Sequence, residues 1–153
     1  MIKLLRVDHR LLHGQVVFSW CSQLKPNCIL IANDSVVNDE VKKAALKLGK
    51  PSNTKLVMKN IDDSIKAINS GKTDKYELMI VVNNIADAVK LALNVEQITS
   101  INLGGTKATS HTHALSNMVN VTDEEEVLLK EAVSKGIEVF IQAVPSEVKK
   151  IYK

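Results

Sequence analysis

The sequence predicts an α/β fold built on an open, mainly parallel sheet with helices on both faces. Three observations carry that expectation. Apolar runs of about five residues alternate with helix-patterned stretches of about ten, the rhythm of repeated β-α units. The run Leu78-Met79-Ile80-Val81-Val82 is continuously apolar, as suits a strand covered on both faces. Capping and stop residues, such as Asn60, Thr122 with Glu125, and Gly136, fall at the junctions between the two patterns.

In order, residues 2–5 form an opening apolar strand, and residues 14–25 carry the helical pattern Val17, Trp20, Cys21, Leu24, stopped by Pro26-Asn27. A strand is expected over 28–32, then a helix capped by Asn38 and ended by Gly49. A third strand spans 54–58, and a helix capped by Asn60 ends near Ser70-Gly71. The fourth strand covers 77–82 and its helix 86–93. A fifth strand at 98–103 ends in Gly104-Gly105-Thr106. Residues 107–116 read as irregular and polar, and 117–121 as a short strand. The capping box Thr122/Glu125 opens a helix to Lys135, a last strand spans 137–144, and Pro145-Ser146 can begin a short final helix. The whole is a Rossmann-like three-layer single domain over residues 1–153, joined by right-handed crossovers. The strand-end loops at 8–13, 33–35, 83–84 and 104–106 should line one edge of the sheet, where ligands bind in such folds.

Composition narrows the function classes. The chain has 153 residues, 45% of them hydrophobic and 24% charged, enough for one large core. A net charge of +3 and an aromatic content of 3% argue against nucleic acid as a partner. No apolar run approaches the roughly 18 residues of a membrane span, and the first residues show no signal-peptide pattern. A cytoplasmic protein is expected. Cys21 and Cys28 then read as small hydrophobes in a reducing compartment.

The chemistry concentrates in Arg6-Val7-Asp8-His9-Arg10-Leu11-Leu12-His13-Gly14-Gln15-Val16, where a strand passes through a loop into a helix. A neutral imidazole is a good nucleophile near its ordinary pKa of about 6.5. A phosphoryl group on His13 would lie beside the backbone N–H groups of Gly14, Gln15 and Val16, at the positive end of the helix dipole. Arg10 can grip its oxygens with a two-pronged contact. Asp8 can hold either Arg10 or the imidazole. The blander reading is a histidine that merely caps the helix beside an unrelated arginine. His9 and His13 also have the i, i+4 spacing of a metal pair, but the pair straddles a loop and no glutamate follows His9. His111 and His113 alternate in the polar segment and read as surface residues. There is no Gly-x-Ser-x-Gly elbow, Walker loop or Gly-x-Gly-x-x-Gly, although Gly104-Gly105 can bring backbone close to a phosphate. With no nucleotide site, a phosphoryl group has to arrive from another protein.

The 6–16 stretch, with Trp20 after it, closely resembles the phosphorylation-site signature of IIB components of the bacterial sugar phosphotransferase system, mannose/fructose/sorbose family. Asn33-Asp34, Pro51, Asn102-Leu103-Gly104-Gly105 and Val144-Pro145-Ser146 fit the same pattern along the chain. The resemblance implies a phosphohistidine at His13 through Nδ1, supported by Arg10 and Asp8, with no cofactor and no metal. It implies a IIA phosphodonor, membrane partners IIC and IID that present the sugar, a position at the inner face of the membrane, and a homodimer. It assigns no role to His111 or His113, and the sugar is not readable. Two other classes stay open: a flavodoxin-like anion-binding module without chemistry, and a metal-dependent hydrolase using His9 and His13.

Overall fold

The computed structural model describes the backbone of residues 1–153 and every side chain except those of Gln15 and Val16. The elements run β1 (Ile2–Asp8), α1 (Gly14–Leu24), β2 (Cys28–Ala32), a single 3-10 turn (Val36–Asn38), α2 (Glu40–Leu48), β3 (Lys55–Lys59), α3 (Ile61–Asn69), β4 (Leu78–Val82), α4 (Ile85–Asn94), β5 (Ser100–Gly105), β6 (His113–Ala114), β7 (Asn120–Val121), α5 (Asp123–Ser134), β8 (Glu138–Ile141) and β9 (Lys150–Ile151). The main sheet has seven strands in the order β3-β2-β4-β1-β5-β8-β9. All its pairs are parallel except β8 with β9.

Two apolar cores make this a three-layer α/β domain. Leu4, Ile29, Ile31, Met79 and Val81 face Val17 and Trp20 of α1 and Leu46 of α2. Leu5, Val7, Leu30, Ile80, Ile101 and Val139 face α3, α4 and α5 on the other side. The two connections that run toward the β3 edge use one face, and those running toward β8 use the other. From β1 the chain moves one way across the sheet, and from its neighbour β5 it moves the other way. The crevice between diverging connections is where open α/β sheets bind ligands. Cys21 packs with the first core and Cys28 with the second, on opposite faces, and both thiols are free.

Several boundaries differ from the sequence expectation, each for a local reason. Helix α2 is capped by Asp39, whose carboxylate accepts the Lys42 N–H, and Asn38 belongs to the 3-10 turn before it. Gly104 and Gly105 are strand residues of β5, not loop. The segment 107–121 holds a small antiparallel ribbon, β6 with β7. No helix follows Pro145; the chain turns and returns as β9, pairing Phe140 with Ile151. No helix among the described residues is long and apolar enough to cross a membrane.

The capping box is formed as expected. The Glu125 N–H donates to Thr122 Oγ1 at 3.1 Å, and the Thr122 N–H to Glu125 Oε1 at 2.9 Å. Thr122→Ala removes a hydroxyl that nothing else replaces. It should cost about 1 kcal/mol in urea unfolding, whereas Thr122→Ser should be nearly neutral.

Candidate functional site

On β1, Leu4 packs in the first core while Leu5 and Val7 pack in the second. Alternation therefore directs Arg6 and Asp8 to the face that α1 covers. Both are buried, at 3% and 0% relative exposure. Charged groups so placed must be paired and hydrogen-bonded, and these are. Arg6 Nη2 donates to Asp8 Oδ2 at 3.1 Å, and Arg6 Nη1 donates to Asn102 Oδ1 at 2.8 Å on the neighbouring strand. Arg6 Cζ lies 5.7 Å from the centroid of the Trp20 ring, a cation–π contact. The Trp20 indole N–H is anchored on the Ala143 carbonyl at 2.9 Å.

Gly104 makes room for this guanidinium. The β1–β5 register shifts between Val7 and Asp8, so that Val7 faces Leu103 and Asp8 faces Gly105, leaving Gly104 without a β1 partner. A Cβ on Gly104 would fall 2.1 Å from Arg6 Cζ. The backbone at Gly104 is thus brought close to a guanidinium, where the sequence had suggested a phosphate.

Asp8 distributes its two oxygens. Oδ1 accepts the backbone N–H of Arg10 at 3.0 Å, which shapes the turn, and the Leu11 N–H closes on the Asp8 carbonyl at 2.9 Å. Oδ2 accepts from His13 Nε2 at 2.8 Å. Burial works to raise the Asp8 carboxyl, but the bond from His13, the Arg10 N–H and the Arg6 charge outweigh it and hold it below its ordinary value. An ionised carboxylate only accepts, so Nε2 carries the proton. In the neutral tautomer Nδ1 is then the ring nitrogen with a lone pair. The His13 side chain is 21% exposed. The imidazole therefore has one nitrogen tethered to the interior and a ring open to approach.

Leu11 and Leu12, both buried, anchor the loop in the first core. Leu11 takes a φ of +59°, a sparsely populated conformation for a leucine, and Gly14 takes +37°. His13, between them, is the N-cap residue of α1, yet its side chain makes no capping bond because Asp8 holds it. The first turn of α1 holds no acidic residue, whereas that of α5 holds four. The first turn of α1 thus brings no carboxylate of its own to the positive end of the helix dipole.

Of the residues singled out in sequence, Asp8, Arg10, His13 and Gly14 come together on this loop. The choice left open for Asp8 resolves in favour of the imidazole: the Arg10 guanidinium is looser, its Nε 3.7 Å from Asp8 Oδ1 on a half-exposed side chain. The Gln15 side chain lies outside the described residues. His9 Nδ1 is 4.0 Å from Oδ1, the opposite oxygen from the one that holds His13. His9 also lines a polar cleft with Asn83, Asn84 and Thr106, so the loops after β1, β4 and β5 do share one edge. Asn33 and Asp34 serve their own neighbourhood instead, accepting N–H groups of Ser35, Val36 and Ile61. His113 faces Glu126 at 3.3 Å, and His111 is exposed. Sequence reasoning gave no site role to Arg6, Asn102 or Trp20. The available signal was a lone arginine between Leu5 and Val7 in an apolar strand.

Gly104→Ala should force Arg6 out of its slot and break its bonds to Asp8 and Asn102. Urea unfolding should then show a loss of roughly 2–4 kcal/mol, the range for disrupting a buried polar network. Gly105→Ala is the control. Its added Cβ meets nothing closer than 3.7 Å, and the loss should stay below about 1 kcal/mol.

Comparison with known proteins agrees in family and in fold. The model of the phosphotransferase-system sorbose subfamily IIB component matches residues 2–152. A probable phosphotransferase enzyme IIB component of Streptococcus pyogenes serotype M6 is 32% identical, covering 97% of this chain and 95% of that protein. The mannose-specific EIIAB component of Escherichia coli K12 is 28% identical over 97% of this chain, which spans 46% of that longer protein. The crystal structure of the IIBSor domain of the sorbose permease from Klebsiella pneumoniae shares the fold, with a TM-score of 0.91 at 24% identity, covering 97% of this chain and 91% of that one. The strand-to-helix histidine loop, the doubly wound sheet beneath it and the match along the whole chain place this protein in the sorbose (mannose/fructose/sorbose) family of IIB components, the sugar phosphotransferases of the bacterial phosphotransferase system.

Proposed function

We propose that His13 is the phosphoryl carrier, accepting at Nδ1 from a IIA phosphohistidine and passing the group to a sugar. One observation carries this reading: Asp8 takes the His13 Nε2–H at 2.8 Å, which leaves the Nδ1 lone pair on a ring open to a partner. In the first transfer this lone pair attacks phosphorus while the donor P–N bond breaks. The ring then bears a positive charge and the phosphoryl group a double negative one. The Asp8 carboxylate lies against the first, and the α1 N-terminus with Arg10 serves the second. In the second transfer a sugar hydroxyl oxygen attacks phosphorus and gives up its proton to a base on the acceptor side or to solvent, while the P–Nδ1 bond breaks and the imidazole leaves as a neutral ring that needs no proton. Exchange between two histidines is nearly isoenergetic, so positioning and charge neutralisation are the main tasks of the protein. Gly14 and Gln15 join Arg10 as the phosphate-binding group through the start of the helix.

The residues 1–153 act on this reading as one IIB unit. It works at the cytoplasmic side of the membrane through IIC and IID, which present the sugar, and assembles as a homodimer by family resemblance. The name of the E. coli EIIAB relative, which joins A and B in one chain, supports a IIA donor. Family membership does not favour an inert anion-binding module or a hydrolase built on His9 and His13.

Incubation with a phosphorylated IIA partner and intact-mass measurement tests the assignment. His13→Ala should abolish labelling, and His9→Ala should retain it. The adduct should be labile in acid and stable in base, as a phosphoramidate is. Labelling that survives in His13→Ala overturns the assignment.

Arg10→Gln should keep the fold, because the side chain is half exposed, and lower sugar phosphorylation by roughly ten-fold to a thousand-fold, the scale of losing one preorganised donor. Arg10→Lys should rescue poorly, since an ammonium lacks the planar fork. A coupled transfer assay with normal turnover in Arg10→Gln would remove this residue from the mechanism.

A further inference from the structure

At the β3 edge, the sheet face that carries α3 and α4 is incompletely roofed. There, Cys28, Leu30, Val57 and Leu78 floor a cavity of about 420 Å³, closed on one side by Ala67 of α3. Its rim carries Lys55, Lys59, Lys72 and Lys75. None of these ammonium groups has a carboxylate within 4 Å among the described residues, whereas Lys3, Lys43, Lys90 and Lys149 each have one. Lysines on an edge strand commonly block strand pairing, which accounts for Lys55 and Lys59 on β3. It does not account for Lys72 and Lys75, which come from the connection between α3 and β4 and border the same cavity.

Tyr76 ties the two sources together. Lys55 Nζ donates to its hydroxyl at 3.0 Å, and the Lys55 and Lys75 ammonium groups lie 5.3 and 5.2 Å from its ring centroid. The nearby acids are few. Asp74 sits against Gly71, and Asp63 lines an adjoining cavity that also contains Lys59, Lys66 and Lys72. Like charges gathered at one mouth repel unless an anion joins them. A volume of this size suits a small ligand, and an apolar floor with a few convergent polar groups is the usual make-up of such a site.

We propose that this cavity binds a small organic anion, with its carboxylate, sulfonate or phosphate among Lys55, Lys72 and Lys75 and its apolar body on Val57 and the Tyr76 ring, above the nearly closed floor of Cys28, Leu30 and Leu78. The site lies on the opposite face of the sheet from Arg6, Asp8 and Trp20, and it is independent of the phosphoryl chemistry assigned to His13.

The probe is 8-anilinonaphthalene-1-sulfonate, followed by fluorescence at fixed ionic strength. Octanoate should displace it. Octanol, which has the body without the charge, and sulfate, which has the charge without the body, should not displace it at the same concentration. Lys55→Glu/Lys72→Glu should weaken the probe by about tenfold or more. Lys42→Glu/Lys47→Glu on α2, with the same change in net charge, should leave it unaltered. The native chain offers a second readout. Its other tyrosine, Tyr152, is pushed up to about 12, while the hydrogen bond and charge of Lys55 draw Tyr76 down. The first phenolate absorbance therefore reports Tyr76, and octanoate should move that transition to higher pH. Displacement by octanol as strong as by octanoate, or equal loss in the two double variants, overturns the proposal.

Discussion

The buried contact between Arg6 and Asp8 is the constraint on which the site depends. The bond from His13, the Arg10 N–H and the Arg6 charge together keep Asp8 ionised inside the domain. An ionised Asp8 in turn takes the Nε2–H of His13 and leaves Nδ1 as the ring nitrogen it does not hold. Its supports belong to the fold rather than to the loop. Asn102 comes from the adjacent strand, Trp20 from the helix that follows the loop, and the slot at Gly104 from a shift in register. His13, the proposed phosphoryl carrier, is thereby oriented by groups that cannot move without disturbing the core.

Topology explains why such a loop can be both anchored and reachable. The sheet diverges at β1 and β5, so the carboxyl end of β1 opens into a crevice instead of being covered by a crossing connection. Leu11 and Leu12 hold the loop to the first core, while His9, Arg10 and Gly14 remain outside it. The carrier role proposed for His13 would need this combination, because a donor and an acceptor must each reach the ring. An enclosed pocket would protect the phosphoryl group but would exclude one of the partners.

The two faces of the sheet treat charge in opposite ways. Under α1, a cation and an anion are buried together and their polar atoms find partners. On the other face, at the β3 edge, lysines border an apolar cavity, and among the described residues none of them has a carboxylate within 4 Å. The first arrangement is complete within the chain; the second would be balanced electrically by the proposed anion.

The sequence by itself determined the alternation of strands and helices, the capping box of α5 and the strand-loop-helix setting of His13, because periodicity and capping are local properties. It also bore the family signature, which is local too. It misplaced the cap of α2, where Asp39 outcompetes its neighbour Asn38 once the 3-10 turn forms, and it did not foresee β6 or β9, whose two-residue strands have no periodicity to read. Arg6 was visible as a charge in an apolar strand, but its purpose was not. That purpose rests on Asn102 and Gly104, about a hundred residues away in the chain, and only a parallel pairing of β1 with β5 brings them together. Tertiary structure likewise decided which nitrogen of His13 is free, because tautomer choice depends on where a carboxylate stands in space and not on how many residues separate it from the ring.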